Sequence, residues 1–257
     1  MRASESDILI LPGMGGGTPD HWYNRWAQKL STARRVEQRD FDRPHFEEWA
    51  ARVEDAVAAA RRPVILVGHS MGAVTACLIG ADLPNVAAAM LVAPSSPRVL
   101  LTLEGVDPAF AHRPQRRVDF PCLLVASRND PYATYEESTE RASALGATLV
   151  DAGESGHINP DSGHGPWPEG LMRFAHFLGQ VKPPEILSFA RTGRDRLGRH
   201  EGRRNRDDRA EGGGDRNEFH RGERRRQQDD RHENAGQHRA AHDPQKKRQT
   251  PHDPVSN

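Results

Sequence analysis

The pentapeptide Gly68-His69-Ser70-Met71-Gly72 is where residue types and spacing in this 257-residue chain point most directly to chemistry. It follows the aliphatic run Val64 to Val67 and precedes Ala73 to Ala81, which reads as a helix. A G-x-S-x-G string at a strand-to-helix turn lifts its serine clear of the backbone at a helix N-terminus, where free amides and the helix dipole favour negative charge. Ser70 is therefore a candidate nucleophile, and the Met71 amide a candidate oxyanion donor. His69 occupies the variable position of the motif, next to a prospective pocket.

A serine hydroxyl attacks poorly at neutral pH without a base, and such a base needs a carboxylate to orient it. The order Ser, Asp or Glu, His predicts both partners downstream. Asp130 follows the apolar run Cys122 to Ala126 in Ser127-Arg128-Asn129-Asp130-Pro131, and His157 follows Thr148 to Val150 in Gly153-Glu154-Ser155-Gly156-His157. Asp151 is the rival acid, while His164 and His69 are the rival histidines. A second oxyanion donor is expected in the glycine-rich stretch after the first strand, Pro12-Gly13-Met14-Gly15-Gly16-Gly17, with the Met14 amide assigned and Gly13 beside the pocket. Trp167, between Pro166 and Pro168, is a further candidate for the pocket wall.

Other chemistry fits less well. His157, Asp161 and His164 could instead bind a metal, but their spacing matches no common ligand pattern, and no metal or cofactor is expected. The glycine-rich stretch lacks the Lys-Ser/Thr ending of a phosphate loop, and Thr18 stands where a dinucleotide fingerprint needs glycine. Cys77 and Cys122 sit in apolar runs and read as buried free thiols.

These residues need a scaffold that gathers strand ends. From Asp7 to about Gly179, short aliphatic runs alternate with longer amphipathic stretches, the pattern of a mostly parallel, doubly wound α/β sheet of about six strands. Strands are expected at Ile8 to Leu11, Arg35 to Phe41, Val64 to Val67, Ala87 to Val92, Cys122 to Ala126 and Thr148 to Val150. Helices are expected at His21 to Leu30, Phe46 to Ala60, Met71 to Ala81, Tyr135 to Leu145 and Pro168 to Leu178, with Trp22, Trp26 and Trp49 packing against the sheet. The section from Arg98 to Val118 breaks the rhythm and reads as a loop or short helix over the strand ends.

Charge divides the chain. Residues 1 to 182 hold 18 Lys+Arg against 22 Asp+Glu, and 183 to 257 hold 18 against 14. That last stretch contains only six of Leu, Ile, Val and Phe in 75 residues, too few to bury a core, so a disordered tail is expected after a domain spanning 1–182. Its basic clusters suggest contact with nucleic acid or another anionic partner, but interspersed acids and scarce aromatics argue against it. No run approaches the length of a membrane span, and the N-terminus is unlike a signal peptide, so a cytoplasmic protein is expected.

The strings ILILPGMGGGTPDHW, LVGHSMGA, VASRNDPY and AGESGHINPDSGHGPWPEG resemble the small bacterial serine hydrolases of the YdeN-like type, a family that includes the retinoblastoma-binding protein 9 type in animals. The resemblance spans about 7–182 and implies a compact α/β hydrolase with a Ser-Asp-His triad at Ser70, Asp130 and His157. It names a reaction type, not a metabolite. The expectation is a cofactor-free hydrolase of a small ester, thioester or amide; the alternative is a binding or scaffold protein retaining the fold without turnover. No Leu-x-Cys-x-Glu motif supports the animal relatives' namesake partner.

Overall fold

The computed structural model describes residues 1–182. The charged stretch beyond, for which disorder is expected from composition, lies outside the described residues.

Six strands, β1 (Asp7–Leu11), β2 (Ala33–Arg35), β3 (Val64–His69), β4 (Val86–Val92), β5 (Cys122–Ala126) and β6 (Thr148–Asp151), form one sheet in the order β2-β1-β3-β4-β5-β6. Every neighbouring pair is parallel. The chain steps outward from β1 to β2, then returns to the other side of β1 as β3. That reversal places the switch point between the carboxyl ends of β1 and β3, where open α/β sheets bind ligands.

Alternation along the strands sorts the core into two layers, because successive side chains point to opposite faces. Ile8, Ile10, Ile65, Val67, Met90 and Val92 meet α1 (Trp22–Lys29) and α7 (Pro168–Gln180) through Trp22, Trp26, Phe174 and Phe177. Leu9, Leu11, Leu66, Leu91 and Leu124 meet α2 (Phe46–Ala58), α3 (Met71–Ile79) and α6 (Tyr135–Leu145) through Phe46, Trp49, Val53, Val74 and Leu145. Both faces are covered, so the central strands are apolar throughout. Each fully buried aliphatic side chain contributes about 1.5–3 kcal/mol. Where Arg98 to Val118 breaks the rhythm, the chain forms two one-turn helices, α4 (Pro97–Leu100), which starts one residue earlier, and α5 (Ala109–His112), whose Leu100 and Phe110 join the second layer.

The second strand departs from expectation. Pairing covers Ala33–Arg35 rather than Arg35 to Phe41, matching Ile8 with Ala33 and Ile10 with Arg35. As an edge strand it is half-buried, so its hydrophobic signal is weak. After Val36, which still donates to the Ile10 carbonyl, the chain turns away; the Asp40 carboxylate accepts from the amides of Asp42 and Arg43 and closes that turn.

Candidate active site

Ser70 sits at φ 51°, ψ −120°, between the end of β3 and the first residue of α3. A non-glycine residue there is strained by about 1–3 kcal/mol and persists only where its surroundings dictate it. They do: the Ser70 amide donates to Val92 at the end of β4, and the Ser70 carbonyl accepts from Val74 to start α3. The flanking glycines permit the crossing. A Cβ on Gly72 would lie 2.1 Å from the Leu11 carbonyl oxygen, and one on Gly68 would lie 2.8 Å from Ala73 Cα.

The loop after β1 approaches as closely. The Gly13 Cα is so near the elbow that a Cβ there would sit 3.0 Å from Ser70 Cβ. The loop is held by Gly16 donating to Gly13, Gly15 donating to Phe41, and the Asn24 amide donating to the Thr18 carbonyl at 2.8 Å. Among the described residues, neither the Met14 nor the Met71 amide donates to a protein acceptor. Both remain free for a ligand.

Asp130 and His157 come together from the loops after β5 and β6. His157 Nδ1 lies 3.0 and 3.1 Å from the two oxygens of Asp130, and Asp130 Oδ1 also accepts from the Tyr132 amide at 2.9 Å. Both side chains are nearly inaccessible, 9% and 3% exposed, so water competes little for this pair. Asp151 is engaged elsewhere: it binds Arg128 at 2.6 and 2.8 Å, and that contact holds its carboxyl below the usual range. His164 Nδ1 lies 3.3 Å from the Ser162 hydroxyl. Among the described residues, His157, Asp161 and His164 do not assemble as a metal-binding group.

Ser70, His157, Met14, Met71, Gly13 and His69 line one cavity of about 290 Å³. Trp167 does not share it. It borders a separate depression with His164 and Pro166, and its ring packs on Trp22 and Trp26. Gly170 admits that ring; a Cβ there would fall 2.1 Å from it.

Several contributors to the site were not singled out from the sequence. Ser95, in the loop after β4, places its hydroxyl 3.4 Å from that of Ser70, and buried Arg141 holds the Ser95 carbonyl at 2.9 Å. His21, stacked on Tyr23 at 3.6 Å, and Tyr132, whose ring centre lies 4.4 Å from that of His157, also line the cavity. Burial, and then His157 nearby, lower the His21 pKa to about 3. Ser127 and Asn129 lace the two loops together: Ser127 Oγ accepts from the Ser155 amide, and Asn129 Oδ1 from the Gly156 amide. Their signal was present, since Ser and Asn before Asp-Pro favour side-chain-to-backbone bonds.

A parallel sheet with a strained serine elbow at its switch point defines an α/β hydrolase. The sequence pattern of the serine hydrolase family matches residues 8–176, and the chain belongs to that family. It is similar to a YdeN-like hydrolase of Pectobacterium atrosepticum at 32% identity and a TM-score of 0.64, over 70% of this chain and 95% of that one. The YdeN protein of Bacillus subtilis shares the fold at 18% identity and a TM-score of 0.59, over 68% and 100%. Esterase 2 of Thermogutta terrifontis does so at 17% and 0.52, over 70% and 85%. Among curated proteins, no sequence matches. Among the described residues, no helix is long and apolar enough to cross a membrane.

Proposed function

We propose that this serine hydrolase cleaves small, uncharged acyl esters, and by the same route thioesters or amides, using Ser70 as nucleophile, His157 as base and Asp130 as the group that orients the base. The observation carrying this reading is the bond from His157 Nδ1 to Asp130 at the edge of the cavity that also holds Ser70. A carboxylate only accepts, so the proton resides on Nδ1 and Nε2 is bare, the tautomer a general base requires.

In the proposed cycle, Ser70 Oγ leaves its contact with Ser95 and turns to His157 Nε2. As Oγ attacks the carbonyl carbon, Nε2 takes its proton and the carbonyl π electrons move to oxygen. The Met71 and Met14 amides receive that oxyanion. Collapse expels the alcohol, which takes the proton from Nε2, and leaves an acyl-Ser70. Water, deprotonated by the same nitrogen, then releases the acid and restores the serine.

The size of the cavity supports a small substrate. About 290 Å³ lies at the lower end of ligand pockets, which favours short acyl chains. The described lining carries Asp161 and no lysine or arginine, so nothing there would compensate an anionic acyl group. Esterase 2 of Thermogutta terrifontis is phosphorylated by paraoxon, and the same reagent suits a test of Ser70.

Release of p-nitrophenol from acetyl, butyryl and decanoyl esters tests the reading. The acetyl and butyryl esters should exceed the decanoyl ester in kcat/KM, and Ser70→Ala should lower turnover at least ~10³-fold. A folded wild type that hydrolyses none of them, or equal rates with Ser70→Ala, would contradict it.

A further inference from the structure

The turn that carries His157 is held by its backbone as well as by its ring. The His157 carbonyl lies 2.9 Å from His69 Nε2, and the next carbonyl, of Ile158, accepts from the Trp22 indole N–H at 2.9 Å. A carbonyl cannot donate, so His69 carries its proton on Nε2 and leaves Nδ1 bare; that atom is buried without a partner. Burial, reinforced by the nearby His157 and His21, keeps the His69 pKa well below its ordinary value, so the ring is neutral and its tautomer is fixed by this one bond.

The clamped segment is under tension. Ile158 is β-branched yet adopts φ 50°, in the left-handed region, and it is fully buried. Such a conformation persists only where surrounding contacts over-determine it, and the two ring N–H donors are such contacts. The Asp130 bond controls rotation of the His157 ring, but a bond at Nδ1 alone leaves the Cα free to shift. Control of the Cα comes from elsewhere.

We propose that His69 is a positioning residue for the reaction: donating to the His157 carbonyl while Trp22 secures Ile158, it fixes the distance between base and nucleophile. Because His69 is bonded directly to Ser70, the coupling runs through one side chain and one hydrogen bond rather than around two separate loops. The inference rests on the roles proposed above for Ser70 and His157. It gives the variable position of the serine motif a task, and assigns Trp22 more than packing.

Four variants test it through kcat and KM for p-nitrophenyl acetate, with melting temperatures measured alongside. His69→Phe and Trp22→Phe keep a ring and lose the donor. His69→Gln carries an amide with the reach of Nε2, whereas His69→Asn is too short. Misplacement of a catalytic group by about 1 Å costs up to 10²-fold, so His69→Phe should lower kcat about 10- to 100-fold with KM within about twofold. Trp22→Phe should do so less severely. His69→Gln should recover most of the loss, and His69→Asn should not; that contrast remains decisive if the Phe variant fails to fold. Wild-type kcat in His69→Asn, or equal loss in the Gln and Asn variants, would overturn the clamp. Absence of Ser70-dependent turnover in the wild type would instead remove the catalytic reading beneath it.

Discussion

Both carboxylate oxygens of Asp130 face Nδ1 of His157, at 3.0 and 3.1 Å, in a pair almost closed to solvent. The consequence is a defined tautomer. Asp130→Asn keeps the shape of the side chain but can donate to Nδ1, which moves the imidazole proton to the wrong nitrogen. We expect kcat to fall about 10³- to 10⁴-fold with the melting temperature nearly unchanged. Asp151→Asn, which loses only a contact with exposed Arg128, should retain kcat within about twofold. Steady-state kinetics of the two variants check the assignment of the acid.

The elbow makes a structural prediction independent of chemistry. In Gly72→Ala the new methyl group would lie 2.1 Å from the Leu11 carbonyl oxygen and within 2.4 Å of that of Pro12, where only movement of α3 away from β1 could make room. Overpacking against rigid backbone should destabilise the protein by about 3 kcal/mol or more. Urea unfolding followed by tryptophan fluorescence reads this directly.

Acid should weaken the fold through two histidines in the cavity wall. Burial lowers the His21 pKa to about 3 and holds that of His69 well below 6.5, so both are neutral in the folded state. The unfolded chain binds more protons between pH 3 and 6.5, hence stability is full above about pH 6.5 and falls as pH drops through this window. Neutral His21 contributes a slope of about 1.4 kcal/mol per pH unit there, and His69 adds to the decline in the same direction. Melting temperatures from pH 7 to 4 should decline, and His21→Asn should flatten the decline.

Cys77 and Cys122 are buried and unpaired, and burial raises the pKa of both. A thiol reagent should label neither in the native protein and both in 6–8 M urea, roughly the range that unfolds small domains. Rapid native labelling of either would place it at the surface.

Much of this was legible in the sequence because local and tertiary signals agreed. Cys122–Ala126 and Tyr135–Leu145 match expectation at both ends: the strand is apolar throughout between Pro121 and Ser127, and the helix opens with a capping box from Thr134 to Glu137 and closes on Gly146 at φ 71°. The edge strand escapes this pattern because half-buried Arg34 and Arg35 give no hydrophobic signal. Closeness to His157 along the chain makes Trp167 read as a pocket residue, but packing on Trp22 and Trp26 claims its ring. Ser95 and the lacing residues Ser127 and Asn129 act through loops that meet only in three dimensions, and no periodicity announces such a meeting.

An activated Ser70 should react with a fluorophosphonate probe in the purified protein, with the modified peptide mapped by mass spectrometry. A single covalent adduct is expected on Ser70, absent in Ser70→Ala and strongly slowed in Asp130→Asn. A folded wild type that resists the probe, or carries the adduct on another residue, would contradict it.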